Sequence, residues 1–224
     1  MRRVRATVGA NFPVAVKLNS ADFQKGGFGE DDCLQVVEWL NDEGIDLLEI
    51  SGGNYEQPRL LGYSGRDESA ADERELRDST REREAYFLDF AAKVRDVRKM
   101  PLMVTGGFRT MAVMESALQS GDADVIGLGR PLCTDPNVPM QLLNGELEAA
   151  PAYESSVRLG TGVWGGNSSF FPLKLLNVLG QQGWYYQQIM RLADGKSADT
   201  AMHLIPALCR YLADEWMSAA RLKR

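Results

Sequence analysis

One histidine and three cysteines are all the chain offers of the side chains that most often bind transition metals. A lone His203 leaves no histidine pair for a metal or a proton relay, and a structural role is the expectation for it. Cys33, Cys133 and Cys209 are odd in number and lack any Cys-x-x-Cys spacing, so reduced thiols are expected rather than a disulfide frame or zinc site. No apolar run approaches the roughly 18 residues of a membrane span. The basic start is broken at Lys17 before a signal-peptide core could form. Basic excess is missing too: the net charge of −6 argues against a nucleic-acid partner. From these absences a soluble, cytoplasmic chain is the expectation. Its 224 residues, 44% hydrophobic, suffice for one or two ordinary cores.

What is present alternates. "PVAVKL" (13–18) has period-two apolar spacing. Cys33, Val36, Val37 and Leu40 then share a helical face, with Gly44 as a stop. "DLLEIS" (46–51) is a second strand, and Phe87, Phe90, Ala91 and Val94 mark a second helix. "PLMVTGG" (101–107) is followed by a helix through Met111, Met114 and Leu118, closed by Gly121. "DVIGLG" (124–129) precedes a short helix from Met140 to Asn144, ended by Gly145. Strand–helix alternation implies an α/β fold with parallel strands. Doubly wound sheets and (β/α)8 barrels both satisfy it. The special residues lie at strand C-termini, the rim that carries chemistry in barrels. Beyond about residue 150 a Gly/Ser-rich connection leads to two helical stretches. The first carries Tyr185, Gln188, Ile189 and Leu192 on one face, and the second runs from about Asp199 to Leu222 with a break expected at Pro206.

Several features invite a chemical reading. In "ADVIGLGRPL" (123–132) a strand ends in glycines, which expose backbone N–H groups, and Arg130 adds a fixed positive charge. With Pro131 suited to a first helical turn, this describes an anion site, best matched by a phosphate. "GTGVWGG" spells a dinucleotide motif at Gly160, Gly162 and Gly165, but lacks the flanking strand and the acidic residue some 20 positions on. It reads as a loop. The charge run at 66–84 reads as a solvated face with helical spacing. Lys17 shares a strand face with Ala15, opposite Val14, Val16 and Leu18, and so points away from the covering helices. An anionic ligand there is favoured over the alternative, an ion pair with Glu49 on the next strand.

"FPVAVKLNSADFQKGGF", "GIDLLEISGGNYE", "PLMVTGGFRT" and "ADVIGLGRPLCTDP", in that order, resemble the old yellow enzyme family of NADH:flavin oxidoreductases. The resemblance covers roughly residues 1–150, and "WYYQQIMRLADGK" looks like the tail of one subgroup. It implies an FMN-containing (β/α)8 TIM barrel that passes hydride from NAD(P)H to a small electrophilic substrate. By the same resemblance Lys17 contacts the flavin ring near N1, where many relatives have arginine. Gly107 and Phe108 match the first FMN phosphate loop, and Gly129 and Arg130 the second, Arg130 pairing with the phosphate. No catalytic residue and no metal ligand carries over.

The same resemblance places the start of the chain at the helix before the fifth barrel strand, leaving out the substrate-orienting histidine pair and the proton-donating tyrosine. The expectation is therefore the C-terminal half of a barrel over 1–150, with an irregular connection and helical extension over 151–224. An open half exposes sheet edges, so self-association or a complementary half-barrel is expected as partner. A non-catalytic FMN- or phosphate-binding module is the alternative reading.

Overall fold

Two aspartates that immediately precede strands fix how the sheet is assembled. The Asp46 carboxylate accepts the N–H of Val14 at 2.7 Å and is ion-paired with Arg5. The Asp124 carboxylate accepts the N–H of Leu102 at 2.7 Å and pairs with Arg98 at 2.8 Å. In each case a carboxylate at the foot of one strand satisfies a donor at the foot of its neighbour, with an arginine as counter-charge. The guanidinium of Arg5, and then the Val14 N–H, hold the Asp46 carboxyl below its usual range.

The computed structural model describes residues 1–21, 27–51, 88, 90–166 and 168–222. The charge run at 66–84 and Phe87 lie outside these. Four strands, β1 (Ala15–Asn19), β2 (Leu47–Ser51), β3 (Leu102–Thr105) and β4 (Val125–Gly127), pair in parallel in the order β1-β2-β3-β4. The helices are α1 (Arg2–Val8), α2 (Glu30–Leu40), α3 (90–97), α4 (Met111–Gln119), α5 (Val138–Leu143), α6 (Phe171–Ala193) and α7 (Leu204–Leu222). The expected α/β class is thus observed. The chain forms two compact units, meeting in sequence between Leu128 and Gly129.

In the first unit the alternation of each strand separates two faces. Leu48, Ile50, Leu102 and Val104 are fully buried on one, with Val37, Ala91, Val94 and Met114 in the same core. On the other, register aligns Lys17, Glu49, Met103 and Val125 across all four strands. That row is far less covered: Val125 is 41% exposed. The helix α2 is capped by Gly29, whose N–H donates to the Asp32 carboxylate at 2.9 Å. Cys33 is fully buried on it, and burial, with Glu30 adding, pushes its thiol up to about 12. Leu118, expected inside, is 45% exposed, and Ala117 takes the buried position on α4.

The second unit is organised by glycines. A Cβ at Gly183 would stand 2.9 Å from Tyr211 Cβ and 3.3 Å from the Ala207 carbonyl oxygen, and one at Gly180 would overlap Leu204. These positions let α6 and α7 approach closely. Contacts advance in the same direction along both helices: Gly180 meets Leu204, Gly183 meets Ala207 and Tyr211, and Gln187 bonds Asp214. The connection between the helices therefore doubles back along α6, with Asp199 N–H donating to Gln188 Oε1 and Trp184 Nε1 to the Met202 carbonyl.

Two expectations for this region need correction. α7 begins at Leu204, so Pro206 lies in its first turn, where the missing N–H breaks no helical bond, and no kink occurs. On α6 the buried face is Asn177, Gly180, Gly183, Trp184, Tyr185 and Gln188, whereas Ile189 is 44% exposed, because the glycine seam turns the helix toward α7.

Replacing Gly183 with valine should destabilise the protein by about 1–3 kcal/mol, since the added atoms meet backbone that cannot rotate away. That outweighs the gain of at most about 1 kcal/mol from removing a helical glycine. Denaturant unfolding of the two proteins measures it. Thiol labelling at neutral pH should be fast at exposed Cys209 and reach Cys33 only after unfolding, as mass spectrometry of partly labelled protein will show.

Candidate functional site

The C-terminal ends of the strands carry the polar groups that the core does not use. Ser20, just past β1, is buried, and its hydroxyl has no hydrogen-bond partner among the described residues. The hydroxyl of Thr105, the last residue of β3, is in the same position. Gly127 faces Thr105 across the β3–β4 pair, and any Cβ there would overlap the Thr105 hydroxyl. Glycine at 127 is what lets Thr105 point this way.

After β3 the chain turns through Gly106 at φ 121° and Gly107 at φ 80°, a backbone open to glycine and strained for other residues. Phe108 follows with its side chain 1% exposed, so it anchors the turn in the core. Among the described residues no acceptor meets the backbone N–H groups of Gly107 or Phe108. A glycine turn whose donors meet no acceptor among the described residues, anchored by a buried aromatic, is suited to an anion.

Lys17 projects from β1 beside Glu49 of β2, its register partner, with Nζ 2.7 Å from Glu49 Oε1. The ion pair weighed from the strand alternation is therefore formed. The lysine side chain is 59% exposed and the glutamate 20%, so such a pair contributes little stability, about 0–1 kcal/mol. The ammonium keeps further donors for a ligand on the open sheet face.

Gly129 and Arg130 belong to the second unit. A Cβ at Gly129 would meet nothing within 4 Å, and its N–H finds no acceptor among the described residues. Arg130 opens a short 3-10 turn, Arg130–Cys133, with Pro131 in its first positions as its sequence favours. Its Nη1 lies 3.2 Å from Glu154 Oε1, and the side chain remains one-third exposed. Glu154 in turn accepts the Tyr185 hydroxyl at 2.8 Å. Sequence reading missed both residues: Glu154 sits in an irregular stretch, and Tyr185 belongs to an apolar helix face.

The loop at Gly160–Gly165 contains a 3-10 turn, Gly162–Trp164. It is held by buried Asn177, whose amide donates to the carbonyls of Trp164 and Gly165 and accepts the Leu159 N–H. His203 is exposed beside the start of α7, its carbonyl accepting the Ala207 N–H. Among the described residues no cluster of His, Cys, Asp and Glu could hold a metal, and no helix is long and apolar enough to cross a membrane.

Among the described residues, the first unit offers orphaned hydroxyls at Ser20 and Thr105, N–H groups at Gly107 and Phe108 and the Lys17 ammonium, and the second offers the Gly129 N–H and the Arg130 guanidinium, each set suited to an anion. Comparison with known proteins places the chain in a family. An NADH-dependent flavin oxidoreductase of Neonectria is 39% identical over 61% of this chain and 17% of its own length. A second, of Talaromyces variabilis, is 30% identical over 86% of this chain and 45% of its own. The chain thus spans less than half the length of either curated relative. A solved 2-naphthoyl-CoA reductase complex superposes with a TM-score of 0.53 at 21% identity, covering 66% of this chain and 21% of that one, a likeness of fold. The profile of the NADH:flavin oxidoreductase / NADH oxidase family matches residues 1–148. With that match over most of its length, the chain belongs to this family of flavoproteins, whose chemistry uses FMN and NAD(P)H.

Proposed function

We propose that this chain supplies the phosphate-binding and ring-edge side of an FMN site in an NAD(P)H oxidoreductase of the old yellow enzyme type. The observation that carries this reading is the pair of glycine-containing stretches at consecutive strand ends, whose backbone donors meet no acceptor among the described residues, the second followed by Arg130. Gly107, Phe108, Gly129 and Arg130 would hold the phosphate, the N–H groups as donors and the guanidinium as a charged fork. Lys17 would sit at the flavin ring, where its charge favours the more negative, reduced state. The chemistry that the cofactor supplies when bound is hydride transfer from NAD(P)H to a small electrophilic substrate.

The strand order supports four consecutive strands of a (β/α)8 barrel, since doubly wound sheets reverse direction at a switch point and this one does not. On this reading the less covered sheet face is the inward face of the barrel. A complementary half or a second copy would complete it along the outer strands β1 and β4.

Arg130→Ala should weaken FMN binding by about 1.5–3 kcal/mol and leave riboflavin, which has no phosphate, nearly unaffected. Fluorescence quenching with both ligands reads this, and equal losses would remove Arg130 from the phosphate site. Lys17→Met should lower the flavin midpoint potential while changing unfolding free energy by less than about 1 kcal/mol, as its exposed ion pair implies. Spectroelectrochemical titration of both proteins is the check; an unchanged or raised midpoint excludes the ring contact.

A further inference from the structure

The second unit sets a carboxylate against the arginine assigned to the phosphate, and the cofactor reading gives that carboxylate no role. Glu154 lies outside the stretch matched by the family profile, in a 3-10 turn, Tyr153–Ser155. Its Oε1 is 3.2 Å from Arg130 Nη1, and its Oε2 accepts the Tyr185 hydroxyl at 2.8 Å. Tyr185 is buried on α6, packed edge-on against Trp184 with ring centroids 5.1 Å apart. The backbone around Glu154 is tied to the same helix: Gln181 Nε2 donates to the Glu154 carbonyl at 3.1 Å and to the Val157 carbonyl at 2.9 Å. The carboxylate is therefore fastened to α6 by both its side chain and its main chain.

This arrangement has two consequences for an anion at Arg130. The ion pair engages Nη1, and among the described residues no hydrogen bond from Arg130 to an acceptor is formed, so the one-third-exposed guanidinium keeps donors for a phosphate. A phosphate there shares the guanidinium with a carboxylate that α6 prevents from moving off. The two anions repel. Both side chains are partly exposed, 33% for Arg130 and 24% for Glu154, which weakens the repulsion by solvent screening without removing it.

We propose that Glu154 is a specificity-setting counter-charge of the Arg130 site, sharing the guanidinium with a monophosphate ester and holding its affinity down. The proposal rests on the reading of Arg130 as a phosphate contact. Glu154 acts through Arg130 and is a positioning residue, fastened in place by Tyr185.

The test uses the full chain and the variants Glu154→Gln, Arg130→Ala and their combination. Glutamine keeps the shape of the side chain and its partners but removes the charge. Inorganic phosphate is titrated against thermal unfolding, and FMN and riboflavin against fluorescence quenching. In Glu154→Gln, phosphate and FMN should bind about tenfold more tightly, the scale of one like charge at such a distance, with riboflavin unchanged. The gain should vanish when Arg130 is alanine. Tyr185→Phe, which lets the carboxylate turn away, should give a smaller gain of the same sign and serves if the glutamine variant does not fold. Weaker binding of phosphate, an equal change for riboflavin, or no phosphate-dependent shift in any variant overturns the proposal. If Arg130→Ala removes the preference for FMN over riboflavin while Glu154→Gln changes nothing, this proposal fails alone. If Arg130→Ala leaves that preference intact, the phosphate reading itself fails.

Discussion

The first unit depends on parallel strands being held in register at their feet. Parallel strands cannot be joined by tight turns, so nothing local fixes where one begins beside the next. Asp46 and Asp124 supply that reference, each binding an N–H at the foot of a strand and each neutralised by an arginine, Arg5 or Arg98. A one-residue slip would exchange the two faces of a strand and carry Leu48 and Ile50 out of the core. It would also move Lys17 away from Glu49 and turn Thr105 away from Gly127. The carboxylates at one end of the sheet thus determine which side chains stand at the other, where Lys17 and Thr105 lie. On the proposed reading the structural and functional ends are separated, as in barrels of parallel strands.

The strands and most helices were legible because periodicity reports burial directly. Lys17 and Glu49 fall opposite each other by alternation alone, and the structure pairs them. Leu118 and Ile189 broke the pattern for a reason that periodicity cannot carry. A helical stripe shows which residues are apolar, whereas glycines and alanines decide which side comes closest to a neighbour. Pro206 was misread because the same residue breaks a helix interior and suits a helix start, and the difference lies in where the first turn forms.

The candidate site divides similarly. Gly107, Gly129 and Arg130 stand out locally, since glycine turns and a following cation are contiguous in sequence. Glu154 and Tyr185 do not, because their relation to Arg130 exists only after an irregular segment is tied down by α6. Long-range partners of a charged group leave no spacing to read. The family resemblance could not help here either, because its matched region ends before Glu154.

The direction in which α7 runs has a consequence for how the second unit comes into being. Because α7 lies alongside α6 with the same polarity, its packing requires the connecting segment to retrace α6 first, with Asp199 at Gln188 and Met202 at Trp184. An antiparallel neighbour could zip from the turn outward as it left the ribosome. Here the first residues of α7 to emerge must instead dock near the middle of α6, at Gly180, across a closed loop. Until then the glycine seam of α6 faces water.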